Sequence, residues 1–245
     1  MTGVVHGLRL RLRDWVRRRP ALHAAVRFAK YGPYRPLARC RVHEDLLARL
    51  RGANARILNL GSGGRPQAGM INLDVTPITG PDVVGDGYRL PFADATFDAI
   101  FCESVIEHVP DPEAFLRAVT PCLRPGGIWF LEVPFLQPFH GERDFQRWTI
   151  PGFRAALERA GLEPIAAGTR MGPGFMIAWL LKDTLALALS LGGGGSRLGQ
   201  GLAWFLGILF SPLLLLDLIG RQSHPAQEGL ACSHYHVARR PEVGS

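Results

Sequence analysis

The sequence predicts an α/β fold, a doubly wound and mostly parallel sheet, and two observations carry that prediction. The apolar run Ile57-Leu58-Asn59-Leu60 stops at the turn Gly61-Ser62-Gly63-Gly64. A second short run, Ile71-Asn72-Leu73, ends on the lone carboxylate of Asp74. This is how an open sheet makes a nucleotide site. The glycines let backbone approach a ligand without Cβ atoms in the way, and an acid at the next strand tip can accept both ribose hydroxyls.

The elements follow in order. Val42, Leu46, Leu47 and Leu50 share one helical face, and Gly52 supplies a stop before the strand at 56–60. Only Arg65 to Met70 separate Gly64 from the strand at 71–73. A parallel crossover normally needs a dozen residues or more, so the first helix is very short or replaced by a loop. Asp82 to Asp86 is a short strand ending in a second acid, and Phe97 to Cys102 reads as a buried strand. Asp111-Pro112 caps a helix with the face Phe115, Leu116, Val119 and Leu123. Leu123 to Gly127 turns the chain into the strand 128–133. Thr149 opens a helix that Gly161 ends, and 162–167 is a further strand.

Composition narrows the class. Of 245 residues, 47% are apolar and 20% charged, as in a globular protein. The net charge of +7 is uneven: residues 1–56 carry +11, leaving about −4 for the rest. The basic character belongs to an N-terminal arm (1–41), read as short amphipathic helices broken by prolines and suited to anionic lipid. An acidic body disfavours nucleic acid. Cys40, Cys102, Cys122 and Cys232 show no metal or disulfide spacing, which points to free thiols in a reducing, cytoplasmic setting and to no metal. Arg9, Arg11 and Arg13 interrupt any signal-peptide core.

Six landmarks in order carry a family resemblance: Gly61-Ser62-Gly63, Asp74, Val84-Gly85-Asp86, Leu90-Pro91-Phe92 through Phe97-Asp98, Glu107-His108-Val109, and Leu123-Arg124-Pro125-Gly126-Gly127. Together they resemble the class I S-adenosylmethionine (SAM)-dependent methyltransferases, most closely the type 11 methyltransferase domain, over residues 55–135. The resemblance implies a Rossmann-like core (42–170) with SAM as cofactor. It implies that Gly61, Ser62 and Gly63 cradle the methionine part, Asp74 takes the ribose and Asp86 the adenine amino group. Cys102 and Glu103 would line the other side. The family usually has an acid two residues before the first glycine. Asn59 stands there and would hydrogen-bond the ammonium group without full charge.

Among catalytic candidates, His140 lies in a loop after the fifth strand with Glu142, Arg143 and Asp144. It is read as general base or acceptor-orienting group, against plain structural hydrogen bonding. His108 carries the same alternatives. Arg143 and Arg147 would bind an anionic acceptor or else pair with neighbouring acids. Trp148 reads as packing and Asp98 as a strand-entry residue.

In this fold the last strand is antiparallel, expected here at 229–237. Before it stand two apolar stretches, Phe175 to Leu191 and Leu202 to Ile219, joined by Gly192 to Gly195. This insertion (171–222) is about bilayer length in its second half, but Ser211-Pro212 breaks it and Asp217 sits near its end. It is read as a helical hairpin on the membrane or a substrate lid, with packing on the domain's own core as the competing reading. The expected function is methyl transfer, mainly to oxygen of a small-molecule, glycan or lipid-linked acceptor, by a protein peripheral on the inner membrane face. An NAD-dependent oxidoreductase is disfavoured by Pro66 and by the spacing from Gly61 to Asp74, short of the roughly 20 residues of a dinucleotide fingerprint. A catalytically silent SAM-binding scaffold is the non-enzymatic alternative.

Overall fold

A computed structural model describes residues 40–242 apart from 65, 78–79, 190–196 and 220–224. The basic arm through residue 39 and the Gly192–Gly195 turn therefore lie outside the described residues. The strands are β1 (Ile57–Leu60), β2 (Ile71–Asp74), β3 (Val83–Val84), β4 (Phe97–Glu103), β5 (Leu123–Pro134), β6 (Glu163–Met171) and β7 (Ser233–Arg239). They form one sheet in the order β3-β2-β1-β4-β5-β7-β6. β1 to β5 pair in parallel, and β7 runs antiparallel between β5 and β6. β5 starts at Leu123, earlier than its expected start at 128. The Pro125-Gly126-Gly127 segment is absorbed as an irregularity beside β4, so Leu123 faces Phe97 from the strand instead of extending a helix.

Each face of the sheet buries a separate cluster. On one side Leu58, Leu60, Leu73, Ile100, Trp129 and Leu131 meet helices α2 (Pro112–Val119) and α3 (Ile150–Arg159). Asp111 starts α2, its Oδ1 accepting from Ala114 N at 2.9 Å, and Thr149 Oγ1 starts α3 by accepting from Gly152 N at 3.1 Å. On the other side Ile57, Phe101, Phe130, Tyr235 and Val237 are covered by α1 (Arg41–Gly52) through Val42, Leu46, Leu47 and Leu50. Each fully buried large side chain contributes about 1.5–3 kcal/mol. The alternation of faces along β1 and β4 fixes which side chains reach which layer.

β1 joins β2 through turns, with no helix among the described residues of the connection. An asparagine pair staples it: Asn59 Nδ2 donates to Asn72 Oδ1 at 2.9 Å, which also accepts from Gln67 N at 2.7 Å. Side-chain amides thus replace what a crossover helix would hold in place.

After β6, helix α4 (Pro173–Leu189) packs against α5 (Arg197–Phe210) as a hairpin. α5 gives way to a 3₁₀ turn at Ser211–Leu215 and a short α6 (Leu216–Ile219), so the chain does break at Ser211-Pro212. The hairpin is anchored at its base, where Phe175, Met176 and Leu214 pack on Cys232. Asp217 caps α4 from across the hairpin: its carboxylate accepts from Gly174 N at 2.7 Å and Phe175 N at 3.0 Å. Beyond the base the outer faces are bare, with Leu180, Leu181, Leu185, Leu187 and Leu189 on α4 and Phe205, Ile208 and Leu209 on α5 all exposed. Gly201–Leu218 is long and apolar enough, by length and composition alone, to cross a membrane, with a mean hydropathy of 1.9 over 18 residues of which 22% is buried. A last turn, α7 (Pro225–Glu228), leads into β7, which begins at Ser233, four residues after its expected start.

Candidate active site

The glycine turn folds back on the end of β2. Gly61 N and Ser62 N both donate to Leu73 O at 2.9 Å. Gly61 has φ +71° and Gly63 φ +49°, the left-handed region where a side chain is costly. Gly63 N donates to Asp74 Oδ2 at 2.6 Å, and Thr76 N to Asp74 Oδ1 at 2.9 Å. Asp74 is thereby pinned, buried, against the turn, as expected of an acid shared by both halves of a nucleotide site. Gly85 N donates to Asp74 O at 3.0 Å, so the chain toward Asp86 leaves from the same edge. The Asp86 side chain is exposed, and its Oδ1 accepts from Tyr88 N.

Other expected contacts fall elsewhere. Asn59 Nδ2 is directed to Asn72 within the sheet. Cys102 is the penultimate residue of β4, not past it, and its side chain is fully buried among the α2–α3 cluster. Burial raises its thiol pKa well above the ordinary value. Glu103 points to the other layer, accepting from His43 Nε2 at 2.8 Å and Arg170 Nη2 at 3.2 Å. Burial works against ionisation there, but the His43 hydrogen bond and the Arg170 charge outweigh it and hold the carboxyl at about 2. Strand alternation separates these neighbours: Cys102 and Glu103 cannot line one cavity with both side chains.

A second cluster forms where β4 and β5 end. Ser104, at φ +56°, turns the chain into a 3₁₀ turn at Ile106–His108, a strain of the kind that gathers at functional sites. Glu107 is fully buried, and neither carboxylate oxygen has a hydrogen-bond partner. Burial raises its pKa to about 7, aided by the charges of Glu132 and Asp144 and opposed by its own backbone N–H and His108. His108 Nε2 lies 4.0 Å and His140 Nε2 3.9 Å from Glu107 Oε1, with the two rings 5.1 Å apart.

Each ring is oriented from behind. His108 Nδ1 donates to Arg143 O at 2.7 Å. His140 Nδ1 is 3.0 Å from Asp144 Oδ2 and 3.3 Å from Pro138 O. The Arg143 carbonyl can only accept, so His108 Nδ1 carries a proton and its Nε2 lone pair faces the cluster; His140 Nδ1 meets the Asp144 carboxylate on one side and Gln137 Nε2, at 3.1 Å, on another. Asp144 is held at about 2 chiefly by the Arg147 hydrogen bonds. Arg147 spends its guanidinium on this loop, donating to Asp144, Gln137 O, Pro138 O and Gln146 O. With all five N–H donors used, it braces His140 and does not serve an anionic acceptor. Arg143 is exposed, and its carbonyl is what the cluster uses. Asp98 bonds Arg56 N and Arg124, and Trp148 packs on Phe153, both as expected. A groove of about 240 Å³ beside His140 is lined by Gln137, Phe139, Asp144, Phe145, Gln146 and Arg147.

The glycine turn and the cluster are adjacent. A Cβ on Gly61 would lie 2.3 Å from Cγ2 of Val105, two residues before Glu107. The turn suits an adenosyl ligand: two left-handed glycines, no atom nearer than 4.0 Å to a Cβ on Gly63, the pinned Asp74, and a buried Ser62 hydroxyl without a partner. A dinucleotide is poorly served, because the described part of the connection supplies no helix N-terminus for a pyrophosphate.

Comparison with known proteins agrees. Residues 65–131 match the family model of a methyltransferase domain. A ubiquinone biosynthesis O-methyltransferase from Xanthomonas axonopodis pv. citri is 33% identical over 111 residues, 36% of this chain and 46% of the relative. One from Xanthomonas oryzae pv. oryzae is 34% identical over 125 residues, 41% and 52%. The chain spans about half the length of these curated relatives. Among solved structures, Haemonchus contortus phosphoethanolamine N-methyltransferase 2 with S-adenosylhomocysteine superposes at a TM-score of 0.50 and 16% identity, covering 82% of this chain and 53% of that one. A candidate sarcosine dimethylglycine methyltransferase from Galdieria sulphuraria reaches 0.51 at 14% identity, covering 82% and 86%. Residues 65–131 thus match a methyltransferase domain, and the strand order is the Rossmann-like fold of the solved methyltransferases it resembles.

Proposed function

We propose that this chain transfers a methyl group to a hydroxyl oxygen of a small amphiphilic acceptor. One observation carries the reading: the glycine turn with Asp74 and the Glu107–His108–His140 cluster share one sheet edge and touch through Val105. The first half would hold SAM, with Gly61, Ser62 and Gly63 around the methionine part and Asp74 on the ribose. SAM, when bound, supplies a methyl on a sulfonium, an electrophile that needs no covalent help from the protein. The chain's task is then to hold an oxygen nucleophile in line and at attack distance. His108 and His140 turn their Nε2 atoms into the cluster, held from behind by Nδ1 contacts to Arg143 O and Asp144, a geometry suited to orienting a hydroxyl. Phe139 and Phe145, both exposed beside the groove, offer apolar surface for the rest of the acceptor. The O-methyltransferase relatives support oxygen as the methylated atom.

The bare leucine face of the α4–α5 hairpin supports an acceptor met at a lipid surface, with the protein peripheral on the cytoplasmic leaflet. Its exposed apolar side chains fit an interfacial seat, and the basic character of residues 1–39 suits anionic headgroups. Two measurements test the reading. Mass spectrometry of host lipids and small molecules, with and without the protein, is expected to reveal a species heavier by one methyl. Binding of SAM with no such species across a broad acceptor panel would favour the silent scaffold. The full chain is expected to float with anionic liposomes, and recovery in the soluble fraction would remove the membrane part.

A further inference from the structure

We propose that Glu107, His108 and His140 form a binding site for one divalent transition-metal cation, which takes both Nε2 atoms as ligands and presents open coordination positions to the acceptor's oxygen in place of direct hydrogen bonds from it. The ligand atoms, one from each residue, all lie within 4.8 Å of one another. The decisive feature is Glu107. Its carboxylate is wholly buried, and neither oxygen has a hydrogen-bond partner. Such a group costs several kcal/mol unless something compensates it. Protonated, it would face only the imidazole Nε2 atoms 3.9–4.0 Å away, beyond hydrogen-bond distance. A cation between the carboxylate and two imidazole lone pairs satisfies all three groups at once.

The outer contacts match what metal-binding histidines need. Each Nδ1 faces an oxygen, Arg143 O for His108 and the Asp144 carboxylate for His140, with Gln137 Nε2 also 3.1 Å from His140 Nδ1. The Nδ1–H···O arrangement is the one that leaves Nε2 as donor to a metal. Arg147 in turn locks Asp144. Two imidazoles and one carboxylate with open positions suit Zn²⁺, Fe²⁺, Co²⁺ or Mn²⁺ rather than Ca²⁺. Ligand atoms at about 2.1 Å from a shared ion lie about 3.0–3.4 Å apart, so the 3.9–4.0 Å carboxylate–imidazole contacts close by about 0.5–1 Å and the widest pair, within 4.8 Å, by at most about 1.8 Å. The free-thiol reading of the sequence disfavoured metal because it weighed cysteine spacing alone. This site uses no cysteine and joins residues 32 positions apart.

The role toward the acceptor rests on the methyl-transfer reading, whereas ion binding stands on the geometry alone. The test is titration of the full chain with Co²⁺, read by visible absorption and calorimetry, with Zn²⁺ as competitor. One equivalent is expected to bind. His140→Ala and Glu107→Gln are expected to weaken it at least tenfold, and Asp144→Asn about tenfold through the outer contact. His43→Gln, on the opposite layer, is expected to bind as wild type, and circular dichroism on every variant verifies the fold. Absence of saturable binding, or equal binding by folded Glu107→Gln and His140→Ala, would overturn the proposal. If no ion binds and methyl transfer persists in chelator, the metal site falls and the oxygen-methylation reading stands. If the ion binds as expected and no acceptor is methylated, the reverse holds.

Discussion

Replacing Gly61 with alanine tests whether the glycine turn is held against the start of the acceptor cluster. At φ +71° an L-residue costs about 1–2 kcal/mol. The new Cβ would also lie 2.3 Å from Val105 Cγ2, where carbon contacts settle near 3.5–4.0 Å. Val105 would have to retreat by more than an ångström within a packed layer, an overpacking cost of about 1–3 kcal/mol. The sum, about 2–5 kcal/mol, corresponds to a fall in melting temperature of about 4–20 °C for a chain of this size. Gly63→Ala has no such neighbour and should lose only the backbone part, about 1–2 kcal/mol. In a double-mutant cycle, Val105→Ala in the Gly61→Ala background should recover the steric part, giving a coupling of at least 1 kcal/mol. Thermal and urea melts read all three variants. Equal, small losses for Gly61→Ala and Gly63→Ala, with no coupling to Val105, would refute the reasoning.

Two further outcomes follow from buried polar contacts. Asp217→Ala leaves two buried N–H groups at the start of α4 without an acceptor and should cost about 2–4 kcal/mol, with faster hydrogen exchange across 173–189, while Asp217→Asn should lose less; unchanged exchange would show that the cap does not hold the hairpin. Glu103 titrates at about 2 in the fold against an ordinary 4.5, so its ionised form stabilises above pH 4.5 and that contribution is lost as pH falls toward 2. The stability gap between wild type and Glu103→Gln in urea should therefore be wide at neutral pH and shrink below about pH 4, and a gap constant with pH would contradict the His43–Glu103–Arg170 network.

Much of this fold was legible because its signals are local. A strand that stops on glycines, an acid at the next strand tip, and caps at Asp111 and Thr149 each act within a few residues, and all appear where periodicity and capping place them. The closeness of Asp74 to the glycine turn was equally legible, since parallel pairing of β1 with β2 brings the two strand ends together. What escaped depends on contacts between distant segments. Glu103 looked like a cofactor residue until α1 and β6 brought His43 and Arg170 to it. Arg147 read equally as an anion ligand or as a partner of a neighbouring acid, and only the closed loop decides for Asp144. Glu107 drew no separate role, because its burial arises only when β5 and the 137–147 loop close over the end of β4. The adjacent Glu107-His108 pair just past a buried strand was the one signal that pointed there. Asp217 seemed to argue only against membrane burial, and its use as a cap on α4 needed the hairpin to be closed.

The most direct measurement is calorimetric titration of S-adenosylhomocysteine into the wild-type chain and Asp74→Ala. Asp74 sits against the glycine turn with its carboxylate bound by Gly63 N and Thr76 N, so the substitution should weaken binding at least tenfold, about 1.4 kcal/mol. Equal affinity for the two proteins, or no binding by the wild type, would contradict the assignment of this sheet edge as the SAM site.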